Sequence, residues 1–383
     1  MLTEKVISDA KFYNKLILTF FSSEDCNICD ELFNKIKELK ISNRYYIFNI
    51  DSIEKSNYFI RLTRGIIPTI TILSPDLKIL GIIESTDIKF IEDSLRKIFE
   101  SYLRDFKGND IPSFIPELDE PSQEIFYEII NRALENEPVD YRSVEFIKIF
   151  STVHKEYEKI INELNPANDM AKYLINNSKI DLQQNYVFNI SFLVNFDKED
   201  KTKLLDFIDK DGGVFRSIKK ETKGMLIDEA NVGNTLISLY NRTGDNRFLE
   251  LASTIFNYIK ENLSHEKGFK DCPPNDAITS VVFLEPLANS ETALFLARLW
   301  AITENEEARK LSELAMKSAY GGSKDIRVLS RIALSLIVLN ERIKTSEKIS
   351  YDDVRLSLQN ISCKYEYDGK CYNSLEEIKP KFF

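Results

Sequence analysis

Cys26-Asn27-Ile28-Cys29 is the segment of this chain whose residue types and spacing carry a reaction. Two cysteines at this spacing can close into a disulfide and reopen by exchange. A thiolate attacks a disulfide sulfur, and the second thiol, one helical turn further on, resolves the mixed disulfide. An apolar run ends just before the pair and a helical pattern follows it, so Cys26 is expected at a helix N-terminus with Asp25 as the N-cap. That end of a helix favours negative charge, which makes Cys26 the expected nucleophile and Cys29 the resolving thiol. The Asp25 carboxylate works against thiolate formation. Further on, Gly65-Ile66-Ile67-Pro68-Thr69 enters another strand-like run. Two other readings stand beside this one: a zinc site of Cys26, Cys29, Cys363 and Cys371, and a partner-binding domain whose cysteines are idle.

A second set of candidates is acidic. Glycoside hydrolysis needs two carboxylates facing each other across a cavity, and Asp211, Asp228, Glu229, Glu285 and Glu291 could supply them. Asp228 and Glu291 are equally well explained as acids in the first turns of helices. Asp211-Gly212-Gly213-Val214-Phe215 reads either as a cavity rim or as a hairpin turn. The two histidines, His154 and His265, read as surface residues, which disfavours epimerase chemistry by paired imidazoles. Trp300 lies on the apolar face of its helix and reads as core.

The elements that must hold these residues follow from periodicity. Lys15–Phe21 reads as a buried strand; Cys29, Leu32, Phe33, Ile36 and Leu39 recur at helical spacing. Strands over 45–50, 69–73 and 78–83 and helices over 53–63 and 87–103 complete a β-α-β-α-β-β-α order, with Ser74-Pro75-Asp76-Leu77 turning the last two strands into a hairpin. Residues 107–124, with Pro112, Pro116 and Pro121, read as a linker. From 125 to 362 the pattern is helical, with almost no convincing strand: 144–161, 170–176, 228–240 with 247–263, 290–302 with 306–319, and 327–341, while 186–194 reads either way. A shift of sixty residues aligns Leu236, Leu239, Tyr240 and Leu251 with Leu296, Leu299, Trp300 and Leu311, so the repeating unit is a helical hairpin that buries its face against its neighbours. Residues 363–383 are left as a C-terminal tail. The predicted fold class is multidomain: an α/β domain over 1–106, then an all-α domain of helical hairpins.

The first domain resembles the thioredoxin superfamily, on its element order, the Cys-x-x-Cys that opens the first helix and the Ile67-Pro68-Thr69 segment. The resemblance implies that Pro68 is cis and lies beside the cysteines, where Ile67 and Pro68 would shape a groove for a substrate backbone, since proline brings no competing N–H. Asp25 stands where thioredoxins carry Trp, and Phe20 where thioredoxin carries a buried acid. The stretches Leu226-Ile-Asp-Glu-Ala-Asn231, Leu239-Tyr-Asn-Arg-Thr-Gly-Asp-Asn-Arg-Phe-Leu249 and Pro286-Leu-Ala-Asn-Ser-Glu-Thr-Ala293 resemble the C-terminal half of a family that joins a thioredoxin-like domain to an (α/α) toroid like that of N-acylglucosamine 2-epimerase. That family includes the vertebrate spermatogenesis-associated thioredoxin-domain proteins. Because its members are longer, the resemblance implies a shortened or open toroid here.

Composition narrows the classes. The chain has 383 residues, 43% hydrophobic and 29% charged, which is the balance of an ordinary globular protein. A net charge of -10, with Lys and Arg dispersed among acids, argues against nucleic acid as partner. The apolar run over 16–21 is too short to span a membrane and lacks a signal-peptide cleavage pattern. Five cysteines in such a length are not a secreted disulfide framework, so the expected location is cytoplasmic. No cofactor or metal is expected. The leading expectation is a thiol–disulfide oxidoreductase or redox-linked protein with a protein thiol or disulfide partner chosen by the helical domain. The alternatives are a carbohydrate-binding or carbohydrate-processing toroid with a sugar ligand, and a scaffold without chemistry.

Overall fold

The structure, a computed structural model, describes residues 4–349 and 353–382, the side chain of Glu4 excepted. The first three residues of the predicted α/β domain, residues 350–352 of the helical segment and Phe383 of the tail lie outside these. The chain divides into two compact units, one of residues 1–113 with 274–282, the other of 114–273 with 283–383.

In the first unit, the apolar run of β1 (Leu16–Ser22), broken only by Thr19 before its final serine, is explained by burial from both sides. β1 pairs in parallel with β2 (Tyr45–Asp51) and antiparallel with β3 (Thr69–Leu73), and β3 pairs antiparallel with β4 (Ile79–Ile83). The order is β2-β1-β3-β4. Successive side chains of a strand alternate between faces. Ile17 and Phe21 pack with Ala10 of α1 (Glu4–Phe12) and with Tyr58 and Leu62 of α3 (Ser56–Leu62). Leu16, Leu18 and Phe20 pack with Leu32 and Ile36 of α2 (Cys29–Glu38) and with Ile91, Leu95 and Phe99 of α4 (Ile88–Leu103). Thr19, the polar exception, is fully buried and donates to the Thr71 carbonyl at 3.1 Å. The sequence reading does not anticipate α1.

Residues 274–282 lie within the stretch read as helical, yet they complete this first unit. Ile278 is buried beside Tyr58 and Leu62. The Arg61 guanidinium donates twice to the Val281 carbonyl, at 2.9 and 3.1 Å, and the Tyr58 hydroxyl bonds the Asp276 carboxylate.

The second unit is built from α5 (Glu124–Leu134), α6 (Tyr141–Val153), α7 (Asp169–Asn176), α8 (Val187–Asn195), α9 (Lys201–Leu205), α10 (Leu226–Thr243), α11 (Asn246–Leu263), α12 (Pro286–Thr303), α13 (Glu306–Gly322) and α14 (Ile326–Asn340). The even-numbered helices pack in sequence, α8 on α10, α10 on α12, α12 on α14 and α14 on α6. Tyr141 of α6 then meets Phe188 and Phe192 of α8, with ring centroids 5.9 and 5.4 Å apart. Helices in such a position are buried nearly all round, as α12 is along most of its length. The repeat is visible in the elements: α10 and α12 begin at Leu226 and Pro286, α11 and α13 at Asn246 and Glu306, sixty residues apart in each case.

The all-α expectation for the second domain needs correction. β5 (Ser264–His265) and β6 (Gly268–Phe269) form a two-stranded turn, and β7 (Ile343–Thr345), β8 (Leu356–Leu358), β9 (Tyr365–Tyr367) and β10 (Lys370–Tyr372) form a sheet of order β10-β9-β7-β8. Strands of two or three residues are too short to display alternation. The segment left as a tail therefore supplies half of a sheet. The single helix expected over 144–161 stops at Val153, and a 3-10 stretch, Lys155–Glu163, follows His154. No helix among the described residues is long and apolar enough to cross a membrane.

Candidate functional site

Cys26 and Cys29 form a disulfide in the turn between β1 and α2. Their placement differs from expectation in one respect. α2 begins at Cys29, its N-cap is Ile28, and Asp25 makes no capping bond. Cys26 instead belongs to the preceding turns, its N–H donating to the Ser23 carbonyl and its carbonyl accepting from the Cys29 N–H, both at 3.0 Å. The unsatisfied first N–H groups of α2 still lie at this end of the chain reversal. The two sulfurs have different environments: Cys29 is 2% exposed within the cluster of Leu16, Leu18, Phe20 and Leu32, while Cys26 is half-buried at its edge. Glu24, Asp25 and Asp30 around the pair are exposed.

Register brings the second motif to the same end of the sheet. Phe21 of β1 lies opposite Thr69 of β3, so the residue before Thr69 is Pro68, level with the start of the cysteine turn. The Ile67–Pro68 peptide is cis, as the resemblance implied. Gly65, with φ +87°, turns the chain out of α3. The Thr69 hydroxyl ties this loop by donating to the Ile66 carbonyl at 2.6 Å. Neither the N–H nor the C=O of Ile67 is taken up by another described residue. Ile28, Ile66 and Ile67 are exposed apolar side chains.

The second unit holds a separate feature, a cavity of about 160 Å³ lined by all five even-numbered helices. Its aromatic and aliphatic wall includes Tyr141, Phe188, Phe192 and Leu294; its polar wall includes Glu145, Lys148, Ser191, Asn231, Glu291, Arg298 and Arg331. Glu291, 1% exposed, is bound by the Arg142 Nε and lies 3.0 Å from the Arg331 Nε. Arg331 also reaches Glu145 at 2.5 Å. Burial alone would raise the Glu291 carboxyl, but Arg331 and Arg142 hold it below the usual carboxylate range. Burial lowers Lys148, against the opposing pull of Glu145. Ser191 Oγ, Asn231 Nδ2 and Glu291 Oε2, all on lining residues, are buried without a hydrogen-bond partner among the described residues.

The five acidic candidates do not converge on this cavity, although Asp211 and Asp228 lie near enough to Glu229 to raise it. Asp211 pairs with Lys223 and Asp228 with Arg216, each at 2.8 Å. Glu229 accepts from the Val214 N–H at 2.7 Å, and Glu285 caps α12 through the Leu287 and Ala288 N–H groups. Of the five, only Glu291 lines the cavity. Burial raises Glu229 and Glu285, as a general acid requires, yet neither faces the cavity, and the carboxylates that do are engaged by Arg331. The arrangement favours binding over acid catalysis.

His154 stacks on Phe150 at 4.3 Å, and His265 Nδ1 accepts from the Lys267 N–H in the β5–β6 turn. Neither lines the cavity. Trp300 is buried between the guanidiniums of Arg309 and Arg342. Cys363 and Cys371 form a second disulfide, Cys272 is a buried thiol, and no cluster of His, Cys, Asp or Glu among the described residues is suited to a metal ion. The four cysteines of the zinc reading are thus engaged as two disulfides.

Sequence reasoning missed Arg331, Arg298, Asn231 and Lys148. The available signal was a guanidinium inside an apolar helical run, as in Val328-Leu-Ser-Arg331-Ile-Ala-Leu334 and Leu294-Phe-Leu-Ala-Arg298-Leu-Trp300. A charge is rarely buried in such a run without a partner from another element. No family model matches the chain, and no curated protein matches it.

Proposed function

We propose that the first unit is a thioredoxin-like domain whose Cys26–Cys29 pair exchanges with a disulfide of a protein partner, and that the second unit is a shortened α/α toroid that helps to select the partner. The observation that carries this reading is the asymmetry of the pair: one sulfur at the surface, the other enclosed in apolar core. In the reduced protein, the Cys26 thiolate attacks the partner disulfide and expels one partner thiolate. Cys29, already within bonding distance, then attacks Cys26 and releases the other. The free backbone groups of Ile67 and the exposed Ile66 and Ile67 side chains give an extended partner segment somewhere to lie. The ring of five inner helices supports the toroid, against six in a twelve-helix toroid. At position 20 Phe replaces the proton-relaying acid, so the resolving step is expected to be slow.

Equilibration in glutathione and dithiothreitol buffers tests the reading. A reversible two-electron couple between roughly -300 and -120 mV supports it. Cys29→Ser is then expected to accumulate mixed disulfides with partner proteins and Cys26→Ser to accumulate none. A pair that cannot be reduced and re-formed, or equal trapping by both variants, refutes it.

The cavity favours a second reading, in which the helical unit binds a small polar ligand. Its unpartnered amide, hydroxyl and carboxylate atoms beside aromatic walls suit a sugar. A ligand that binds only the folded state at a hundred times its Kd stabilises by about 2.7 kcal/mol, so a monosaccharide panel should raise Tm for at least one member. A flat response across the panel counts against this reading.

A further inference from the structure

The second disulfide is not where a fold-stabilising bond would be most useful. Cys363 and Cys371 are only eight residues apart, and the hairpin of β9 and β10 already brings them together: Asp368 and Gly369 both adopt positive φ at its turn, and Lys370, Cys371 and Tyr372 pair with Tyr367, Glu366 and Tyr365. The core beneath the sheet is Ile343, Ile349, Leu356, Tyr367 and Ile378, and contains neither cysteine. β10 is an edge strand, hydrogen-bonded to β9 alone. Cys371 is exposed and Cys363 half-buried. A short loop, an edge position and an accessible sulfur are the properties of a disulfide that exchanges.

Charge points to the partner. The exposed Lys370 beside Cys371 makes no ion pair with a described residue, and a cation favours a thiolate nearby. Glu366, opposite Cys371, is held by Lys344 at 3.4 Å, and Lys364, next to Cys363, is held by Glu347 at 3.1 Å. The surface around Cys26 has the opposite character: Glu24, Asp25 and Asp30 are exposed and form no ion pairs with described residues. Surfaces of opposite sign speed encounter and favour one pairing over others.

We propose that Cys363–Cys371 is a second exchange couple, reduced by a Cys26/Cys29 pair of this protein. The proposal rests on the reading of Cys26–Cys29 as exchange-competent. The Cys26 thiolate attacks Cys371 Sγ, the Cys363 sulfur leaves as a thiolate, and a disulfide joins Cys26 to Cys371. The Cys29 thiolate then attacks Cys26 Sγ and Cys371 leaves. Two electrons pass from the first pair, which ends as a disulfide, to the second, which ends as a dithiol once its thiolates take two protons from solvent. A small dithiol reductant then restores the first pair.

The test follows both pairs separately in the full-length chain by timed alkylation and peptide mass after limiting dithiothreitol is added. The wild type should reduce Cys363–Cys371 at least tenfold faster than Cys26→Ser and than Cys26→Ser/Cys29→Ser. Equal rates in all three, while Cys26–Cys29 is itself reduced in the wild type, overturn the relay and leave the exchange reading intact. A wild-type Cys26–Cys29 pair that never reduces overturns both. Mixing reduced Cys363→Ser/Cys371→Ser with oxidised Cys26→Ser/Cys29→Ser separates the sources. Transfer between the two variants assigns the step to neighbouring copies; acceleration confined to the wild type and independent of protein concentration assigns it to a single chain. In Cys29→Ser, the linked peptide should join Cys26 to Cys371, and a link to Cys363 instead overturns the proposed order of attack.

Discussion

Glu291 and Glu229 are both buried and carry opposite protonation tendencies, because two guanidiniums hold the first while Lys223 only weakly offsets the burial of the second. Glu291 sits between Arg142 and Arg331, which also pair with Asp140 at 2.6 Å and Glu145 at 2.5 Å, so Glu291→Gln would leave each guanidinium one carboxylate and weaken two buried charged contacts. A hydrogen bond to a charged group contributes about 1.5–3 kcal/mol, and urea unfolding at neutral pH should show a loss of that size. A loss under about 1 kcal/mol would mean that the cluster is hydrated. Glu229 is pushed well above its ordinary value by burial, with the Val214 N–H opposing and Asp228 adding to the rise. Its folded pKa therefore exceeds its unfolded one. Between the unfolded value, about 4.3, and the folded one, the unfolded chain releases a proton that the folded chain keeps, and stability falls as pH rises through that window. Glu229→Gln removes this term, so its stability relative to wild type should improve from pH 4 to pH 7. Parallel curves would reject the assignment. The cysteines and Pro68 were legible because each is declared by its immediate neighbours. The charge cluster was not, since Arg331 and Glu145 are 186 residues apart in the chain and nothing near either one names the other.

Gly233 shows how tightly the helices of the ring are fitted. A Cβ there would stand 2.5 Å from a ring carbon of Phe295, which is itself fully buried on α12. Gly233→Ala should therefore cost about 1–3 kcal/mol despite the better helix propensity of alanine, and adding Phe295→Leu should return part of the loss. Additive losses in a double-mutant cycle would show that the two helices do not meet there as described. At this scale the helices were the legible part. The sixty-residue repeat was readable because each hairpin must bury a stripe of its surface, and that requirement writes a period into the chain. The strands β5 to β10 write none, being fixed by turns such as Asp368-Gly369 and by distant pairings such as Ile343 with Leu356. α2 was placed correctly in body and wrongly at its start, where the Cys29 N–H donates to the Cys26 carbonyl instead of running back to Asp25.

Across the whole molecule, four cysteines are paired and Cys272 is a buried thiol, which fixes a simple count. The oxidised native protein should react with no equivalent of a bulky thiol reagent, and the same protein unfolded without reductant should react with one. Two or more in the unfolded state would mean that one of the disulfides is absent. The division into an α/β unit followed by helical hairpins follows from periodicity; the crossing of residues 274–282 into the first unit does not, because Asp276, Ile278 and Val281 find their partners in Tyr58, Leu62 and Arg61. That crossing matters for the order of synthesis. A ribosome making about 5–20 residues per second leaves residues 1–113 waiting roughly ten to thirty seconds for the segment that contains Ile278. During that interval Tyr58 and Leu62 lack the cover of Ile278, and Arg61 keeps the Asn57 carbonyl but lacks that of Val281. The α/β unit is therefore the first part of the nascent chain to emerge and cannot be the first to finish.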